Sequence, residues 1–222
     1  MSAASRAPQR SNRAAQSSNR AARAVRARRR ATLAAGAAGA AAAALLLTAC
    51  GSGGTSGGGG NTGFVTGTDG ISTVAAGKRV AAPELSGETL EGKKLDVGDY
   101  KGKVVVLNVW GSWCNPCRAE AKYFAKVSQE YAGKDVQFVG INTRDGSTTA
   151  ALAFEKDFGI GYPSLYDPTG KLMLRFEKGT LNPQAIPSTL VLDREGRIAA
   201  RSLTALDEER LRKMLEPVVA EK

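Results

Sequence analysis

The 222-residue sequence contains no histidine. That absence excludes Ser-His-Asp and Cys-His catalysis, imidazole proton shuttles and imidazole metal ligands. Cysteine is nearly as scarce, with Cys50, Cys114 and Cys117 the only three. One isolated cysteine and one close pair do not make the two ligand pairs of a zinc site, so no bound metal is expected. The pair is followed by Arg118 and not by histidine, which excludes attachment of a c-type haem. Acidic residues are missing from one whole region: residues 1–49 hold nine arginines and neither Asp nor Glu. The net charge of +10 therefore sits almost entirely there, and from residue 50 onward 22 bases face 21 acids. A nearly neutral remainder carries no electrostatic footprint for a phosphate backbone, so nucleic-acid binding is excluded.

The arginine-rich start ends in Arg28-Arg29-Arg30 and gives way to an uncharged, mostly alanine run, Ala31 to Leu47. A positive region, a short apolar region and small residues before a cut are the marks of a secretory signal peptide, read here over residues 1–49. A transmembrane anchor fits less well, because a spanning helix wants about 20 strongly apolar residues. Leu47-Thr48-Ala49-Cys50 resembles the bacterial lipoprotein lipobox, which implies cleavage before Cys50 and lipidation of its sulfur. Several acyl chains hold a protein to a bilayer far better than one. The alternative is a secreted protein with a spare Cys50. Arg29-Arg30-Ala31-Thr32-Leu33 loosely resembles a twin-arginine signal, with Thr32 at the usual Phe position, so the export route stays open.

Residues 50–74 read as a flexible tether. Its glycine- and serine-rich part, Gly51 to Gly63, reaches roughly 20 Å as a random coil. A folded domain is expected over residues 75–222.

Within that domain, Val104-Val105-Val106-Leu107-Asn108-Val109-Trp110 runs into Trp113-Cys114-Asn115-Pro116-Cys117. A strand feeding a Cys-x-x-Cys that opens a helix is the arrangement used for thiol–disulfide exchange. Unpaired N–H groups at a helix N-terminus favour the thiolate of the first cysteine, and the thiolate is the attacking species. A purely structural disulfide is the poorer reading, because so short a loop constrains the unfolded chain little.

The element order follows from pattern. Residues 82–100 read as a hairpin region with turns at Gly87 and Gly92. Lys103 to Trp110 is an apolar, β-branched run expected to be a central strand buried on both faces. Asn115 to Tyr131 reads as a helix that Gly133 ends, and Val136 to Asn142 as a second buried strand. Thr148 to Phe158 is an expected helix, and Lys171 to Phe176 a short one. Thr189 to Asp193 and Arg197 to Leu203 flank the turn Arg194-Glu195-Gly196 as a hairpin, and Asp207 to Leu215 closes as an amphipathic helix. This is the order of an α/β thioredoxin fold: a central mixed sheet flanked by helices, with an N-terminal β extension and a central insertion.

The stretch Gly102 to Glu120, including Trp110-Gly111-Ser112-Trp113-Cys114-Asn115-Pro116-Cys117-Arg118-Ala119-Glu120, resembles the TlpA/ResA-like branch of extracytoplasmic thioredoxins. A second block, Ile186-Pro187-Ser188-Thr189-Leu190-Val191-Leu192-Asp193-Arg194-Glu195-Gly196-Arg197-Ile198, resembles it too, and the likeness covers about residues 80–222. The resemblance implies that Cys114 attacks and Cys117 resolves, the two forming a redox-active disulfide. It implies a cis peptide at Ile186-Pro187 facing the cysteines, with the backbone before Pro187 free to pair with a substrate strand. Pro116 suits the first helical turn, where a missing N–H costs nothing. Trp113 is expected to shield the disulfide and form substrate surface, whereas Trp110 belongs to the core. Glu120, one turn beyond Cys117, has two readings: it tunes the thiols and relays the Cys117 proton, or it complements the helix dipole as a first-turn acid. The insertion spans roughly residues 143–182. Its partner-binding role is implied by resemblance alone, and Lys171, Arg175 and Lys178 there read as a solvated face.

Together these imply a membrane-tethered extracytoplasmic thiol–disulfide oxidoreductase that reduces client protein disulfides. By resemblance it receives electrons from a membrane thiol-transfer protein, and one family client is apocytochrome c. No cofactor is expected, because two sulfurs carry both electrons. A disulfide-forming oxidant with the same residues stays open, as does a non-enzymatic lipoprotein that presents the fold as a binding module. A thiol peroxidase is disfavoured, since no Pro-x-x-x-Thr-x-x-Cys surrounds Cys114.

Overall fold

The computed structural model describes residues 62–221. The signal-peptide and lipidation expectations, Cys50 included, and the tether as far as residue 61 lie outside the described residues.

Among the described residues nine strands and three α-helices follow one another: β1 (Val65–Thr66), β2 (Ile71–Thr73), β3 (Ser86–Glu88), β4 (Lys94–Asp96), β5 (Val104–Trp110), α1 (Asn115–Glu130), β6 (Val136–Thr143), α2 (Thr148–Phe158), β7 (Ser164–Asp167), β8 (Ser188–Leu192), β9 (Ile198–Ser202) and α3 (Glu208–Ala220). Seven strands form one mixed sheet in the order β1-β2-β9-β8-β5-β6-β7, and β3 and β4 pair separately. Strand β5 runs parallel to β6 and antiparallel to β8, so the expected α/β architecture holds.

All seven residues of β5 are buried, as its apolar run requires. Successive side chains of a strand point to opposite faces. Val104 and Val106 accordingly pack with Phe124 and Val127 of α1 and with Leu211 and Leu215 of α3. Val105, Leu107 and Val109 pack on the other face with Leu85, Leu165 and Met173. Each such side chain, fully buried, contributes about 1.5–3 kcal/mol. The same alternation sends Asn108 and Trp110 to the face beneath α1, which places them at the site described below.

Four expectations shift. The fold starts before residue 75: β2 pairs with β9 at the sheet edge, and Ile71 and Val74 are buried. Strands of two and three residues with Gly, Ser and Thr between them leave no apolar run to read. Gly87 lies inside β3, and the hairpin turns near Gly92, whose φ is +78°. Strand β7 in the insertion was not anticipated; its four residues include Ser164 and Asp167, so it carries no strand pattern. Helix α3 continues past Leu215 through Pro217 to Ala220, where Val218 is buried.

Candidate active site

Gly111, Ser112 and Trp113 carry the chain from the end of β5 into α1. Cys114 is the N-cap of α1, with extended backbone angles, and Pro116 sits in the first turn. Cys114 and Cys117 are joined by a disulfide with their Cα atoms 5.3 Å apart. The Cys117 N–H donates to Cys114 Sγ at 3.2 Å. On reduction that donor and the helix N-terminus favour a thiolate at Cys114. The Ile186 carbonyl oxygen lies 3.8 Å from Cys114 Sγ, and the Ile186–Pro187 bond is cis. Both sulfur residues are buried, Cys114 at 4 % exposure and Cys117 at 2 %. They share an apolar cluster with Trp110, Ala121, Ala151 and Phe154, against which Ile186 packs.

Trp113 is half exposed, while Trp110 is buried and stacked on Phe154 with ring centroids 4.5 Å apart. Trp110 Nε1 donates to Ser164 Oγ at 3.3 Å, and that hydroxyl donates to the buried Glu155 carboxylate at 2.6 Å. Burial pushes Glu155 up to about 7, against the pull of the Ser164 hydroxyl.

The turn before Cys114 is held by Asp145, which follows β6. One of its oxygens accepts from the Ser112 hydroxyl at 2.5 Å; the other accepts from the Ser112 N–H at 2.9 Å and from the Asn142 amide at 2.6 Å. A buried carboxylate with that many donors is satisfied and stays put.

Glu120 is 2 % exposed and lies beyond the first turn of α1, which holds no acid, so the reading as a first-turn acid is corrected. Its Oε1 accepts from Asn108 Nδ2 at 3.0 Å, and its Oε2 accepts from the Leu206 N–H at 2.8 Å. Burial pushes its pKa up to about 7; the Leu206 N–H, the Asn108 amide and Arg210 pull the other way. A carboxyl that titrates near neutrality, one turn from Cys117, can take or release a proton at working pH.

Sequence reading missed Asn108, Asp145 and Phe154. Asn108 was legible, since a polar residue inside a buried strand must find a partner. Nothing in the sequence marks Asp145 or Phe154, which reach the site only through folding of the β6–α2 region. Lys171, Arg175 and Lys178 are exposed, and Arg175 donates to the Glu84 carbonyl at 2.8 Å.

A mixed sheet whose central strand feeds a helix capped by a disulfide, opposite a cis-proline, defines a thiol–disulfide oxidoreductase of thioredoxin fold. Residues 75–216 match the Redoxin family, and the chain belongs to it. Over 137 residues it is 29% identical to thiol-disulfide oxidoreductase ResA of Bacillus cereus, covering 62% of this chain and 76% of that protein. Among solved structures it is similar to a DsbF homologue from Corynebacterium diphtheriae, with TM-score 0.62 and 39% identity, covering 68% of this chain and 94% of that one. It is also similar to a secreted thiol-disulfide isomerase from Corynebacterium glutamicum, with TM-score 0.64 and 31% identity, covering 68% of this chain and 93% of that one.

Proposed function

We propose that this protein is a membrane-tethered, extracytoplasmic reductase of client protein disulfides, with Cys114 as the attacking thiol and Cys117 as the resolving thiol. The observation that supports the roles of the two thiols is the N–H of Cys117 aimed at Cys114 Sγ, beside the Ile186 carbonyl; the reductive direction rests on the likeness to the TlpA/ResA-like family. In the reduced protein the Cys114 thiolate attacks one client sulfur, the client S–S bond breaks, and the departing thiolate takes a proton. Cys117 then gives up its proton and attacks Cys114 Sγ. The Cys114–Cys117 bond forms, the second client thiolate leaves, and two electrons have passed to the client.

Glu120, one helical turn beyond Cys117 in sequence, accepts the Cys117 proton, directly or through water, and its pKa of about 7 supports that reading. Pro187 and Ile186 leave backbone for a client strand, and Trp113 with Pro116 forms the wall beside the attacked sulfur. Upstream, a lipidated Cys50 holds the domain at the outer face of the cytoplasmic membrane, near a membrane thiol-transfer donor. Among the described residues no helix is long and apolar enough to cross a membrane. Apocytochrome c awaiting haem is one client that the resemblance to the TlpA/ResA-like family implies.

The test is trapping. Cys117→Ala should accumulate a mixed disulfide between Cys114 and a client, visible by mass spectrometry, and Cys114→Ala should accumulate none. Trapping through neither cysteine would refute the assignment. Replacing Cys50 with Ser should move the protein from the membrane fraction to the soluble one.

A second reading, a disulfide-forming oxidant, is favoured by the same N–H···S contact. Whatever stabilises the reduced thiolate makes the disulfide a stronger oxidant.

A further inference from the structure

Near the disulfide lie exposed cations that make no ion pair among the described residues. Arg118, the residue after Cys117, is exposed. Its guanidinium lies 5.5 and 5.1 Å from the ring centroids of Phe154 and Phe158 on α2, and one of its nitrogens is 3.5 Å from the Ser112 carbonyl oxygen. Lys122 follows one turn later on α1, also exposed, with its Nζ 4.8 Å from the Tyr123 ring centroid. A third cation comes from another element. The Arg144 guanidinium, at the end of β6, lies 4.9 Å from the ring centroid of Trp113, the half-exposed residue next to Cys114.

Arg144 is held in place by an unusual backbone. Its φ of +59° is the only positive value at a non-glycine among the described residues. Such a conformation persists only where the surroundings enforce it. Here the Arg144 N–H donates to the Asp167 carbonyl at 3.1 Å, and Asp145 beside it is tied to Ser112 and Asn142.

Among the described residues none of the three cations makes an ion pair. Glu120 on α1 and Asp145 beside Arg144 are already engaged, Glu120 against Asn108 and Leu206 and Asp145 against Ser112 and Asn142. Along α1 the exposed charges from Asn115 to Lys126 are all positive.

We infer that Arg118, Lys122 and Arg144 select clients whose reacting cysteine is flanked by Asp or Glu. The inference rests on the exchange reaction proposed above and adds the chemical class of its substrate. Opposite charges steer encounter and set register, and salt screens them. An acidic client segment brings its own sulfur to Cys114, whereas an anionic lipid surface seated on the same cations would cover the disulfide.

The test uses the reduced full-length protein and three disulfide-linked peptides of equal length, their cysteines flanked by Asp, by Ser or by Lys. At low salt, about 10 mM, the Asp peptide should react about five- to tenfold faster than the Lys peptide, and near 1 M salt the ratio should fall toward one. Arg144→Glu and Lys122→Glu should each lower the ratio. Damage to the fold would instead slow all three peptides together and leave the ratio unchanged, so the ratio isolates charge. Equal rates for the Asp and Lys peptides, with the Ser peptide still reduced, would overturn the inference and spare the proposed function. Reaction with none of the three would remove both. If the ratio is one and the wild type, but not Arg118→Glu, sediments with phosphatidylglycerol vesicles, the cations serve a lipid surface and the inference fails.

Discussion

Asn108 and Glu120 meet across the interface between β5 and α1, the Asn108 amide donating to the Glu120 carboxylate at 3.0 Å. The pairing joins the only polar side chain within the buried central strand to a carboxyl one helical turn beyond Cys117. It explains how a carboxyl with 2 % exposure is tolerated. When Glu120 is ionised, both oxygens accept. When it is protonated, its O–H needs an acceptor, and a turned Asn108 amide supplies one.

That arrangement makes stability depend on pH. Glu120 has a pKa near 7 in the folded protein against an ordinary 4.5, so the folded state binds its proton more tightly. Stability therefore falls as pH rises from about 4.5 to about 7. The cost is complete above that window, at about 3 kcal/mol by linkage. Glu155, also near 7, adds a slope of the same sign. In Glu120→Gln, the amide oxygen accepts from Leu206 and its NH₂ donates to a turned Asn108. Urea unfolding should show the wild type losing about 2–3 kcal/mol more than the variant between about pH 5 and pH 8.5. Parallel pH profiles would mean that Glu120 does not titrate there.

A second cluster responds in the opposite sense. Arg79 donates to Asp193 at 3.1 Å and, through two nitrogens, to Glu221 at 2.6 and 2.7 Å. It ties the segment after β2 to the β8–β9 turn and to the end of α3. The Arg79 guanidinium holds Glu221 below the carboxylate range. Burial works to raise Asp193, but the Arg197 N–H and the Arg79 guanidinium overcome it and hold that carboxyl low. The stabilisation from these lowered groups is present above their ordinary pKa values and is lost as pH falls through the folded ones. With Glu120 and Glu155 penalised above about 4.5, stability should peak at about pH 5. Arg79→Ala should cost about 2–4 kcal/mol in the same unfolding assay, less than fully stranding a buried charge because Arg197 still reaches Asp193 at 3.0 Å.

Phe154 forms the wall behind the disulfide, stacked on Trp110 and 4 % exposed. Phe154→Ala should cost about 3–5 kcal/mol by leaving a cavity beneath Trp110. It also removes an aromatic face under Arg118. Denaturation would give the stability loss, and in the reduced protein the rate of reaction of the Cys114 thiolate with a neutral alkylating agent would rise as the sulfurs become more accessible. An unchanged alkylation rate would show that the wall does not shield them.

Much of this architecture was legible because β5 and α1 advertise themselves. Six apolar or aromatic residues interrupted only by Asn108 lead into Cys-x-x-Cys, and local pattern alone orders those elements. The cysteine pair and the position of Glu120 came from the same stretches, and Pro187 from the second block, Ile186 to Ile198, through the family resemblance. The burial of Glu120 did not, because it depends on Leu206, eighty-six residues away, donating its N–H. Asp145 and Arg144 were silent for a similar reason: their positions depend on the turn after β6, which no periodicity describes. Strands β1, β2 and β7 are too short to show alternation, and tertiary pairing alone creates them.

The measurement that bears most directly on the account is the reduction potential of the Cys114–Cys117 disulfide in the full-length protein, equilibrated in defined thiol buffers. The account predicts reversible two-electron cycling with a potential near or below the roughly −270 mV of thioredoxin, as a reductase of client disulfides requires. A potential approaching the roughly −120 mV of a strong oxidant would contradict it and make disulfide formation the activity.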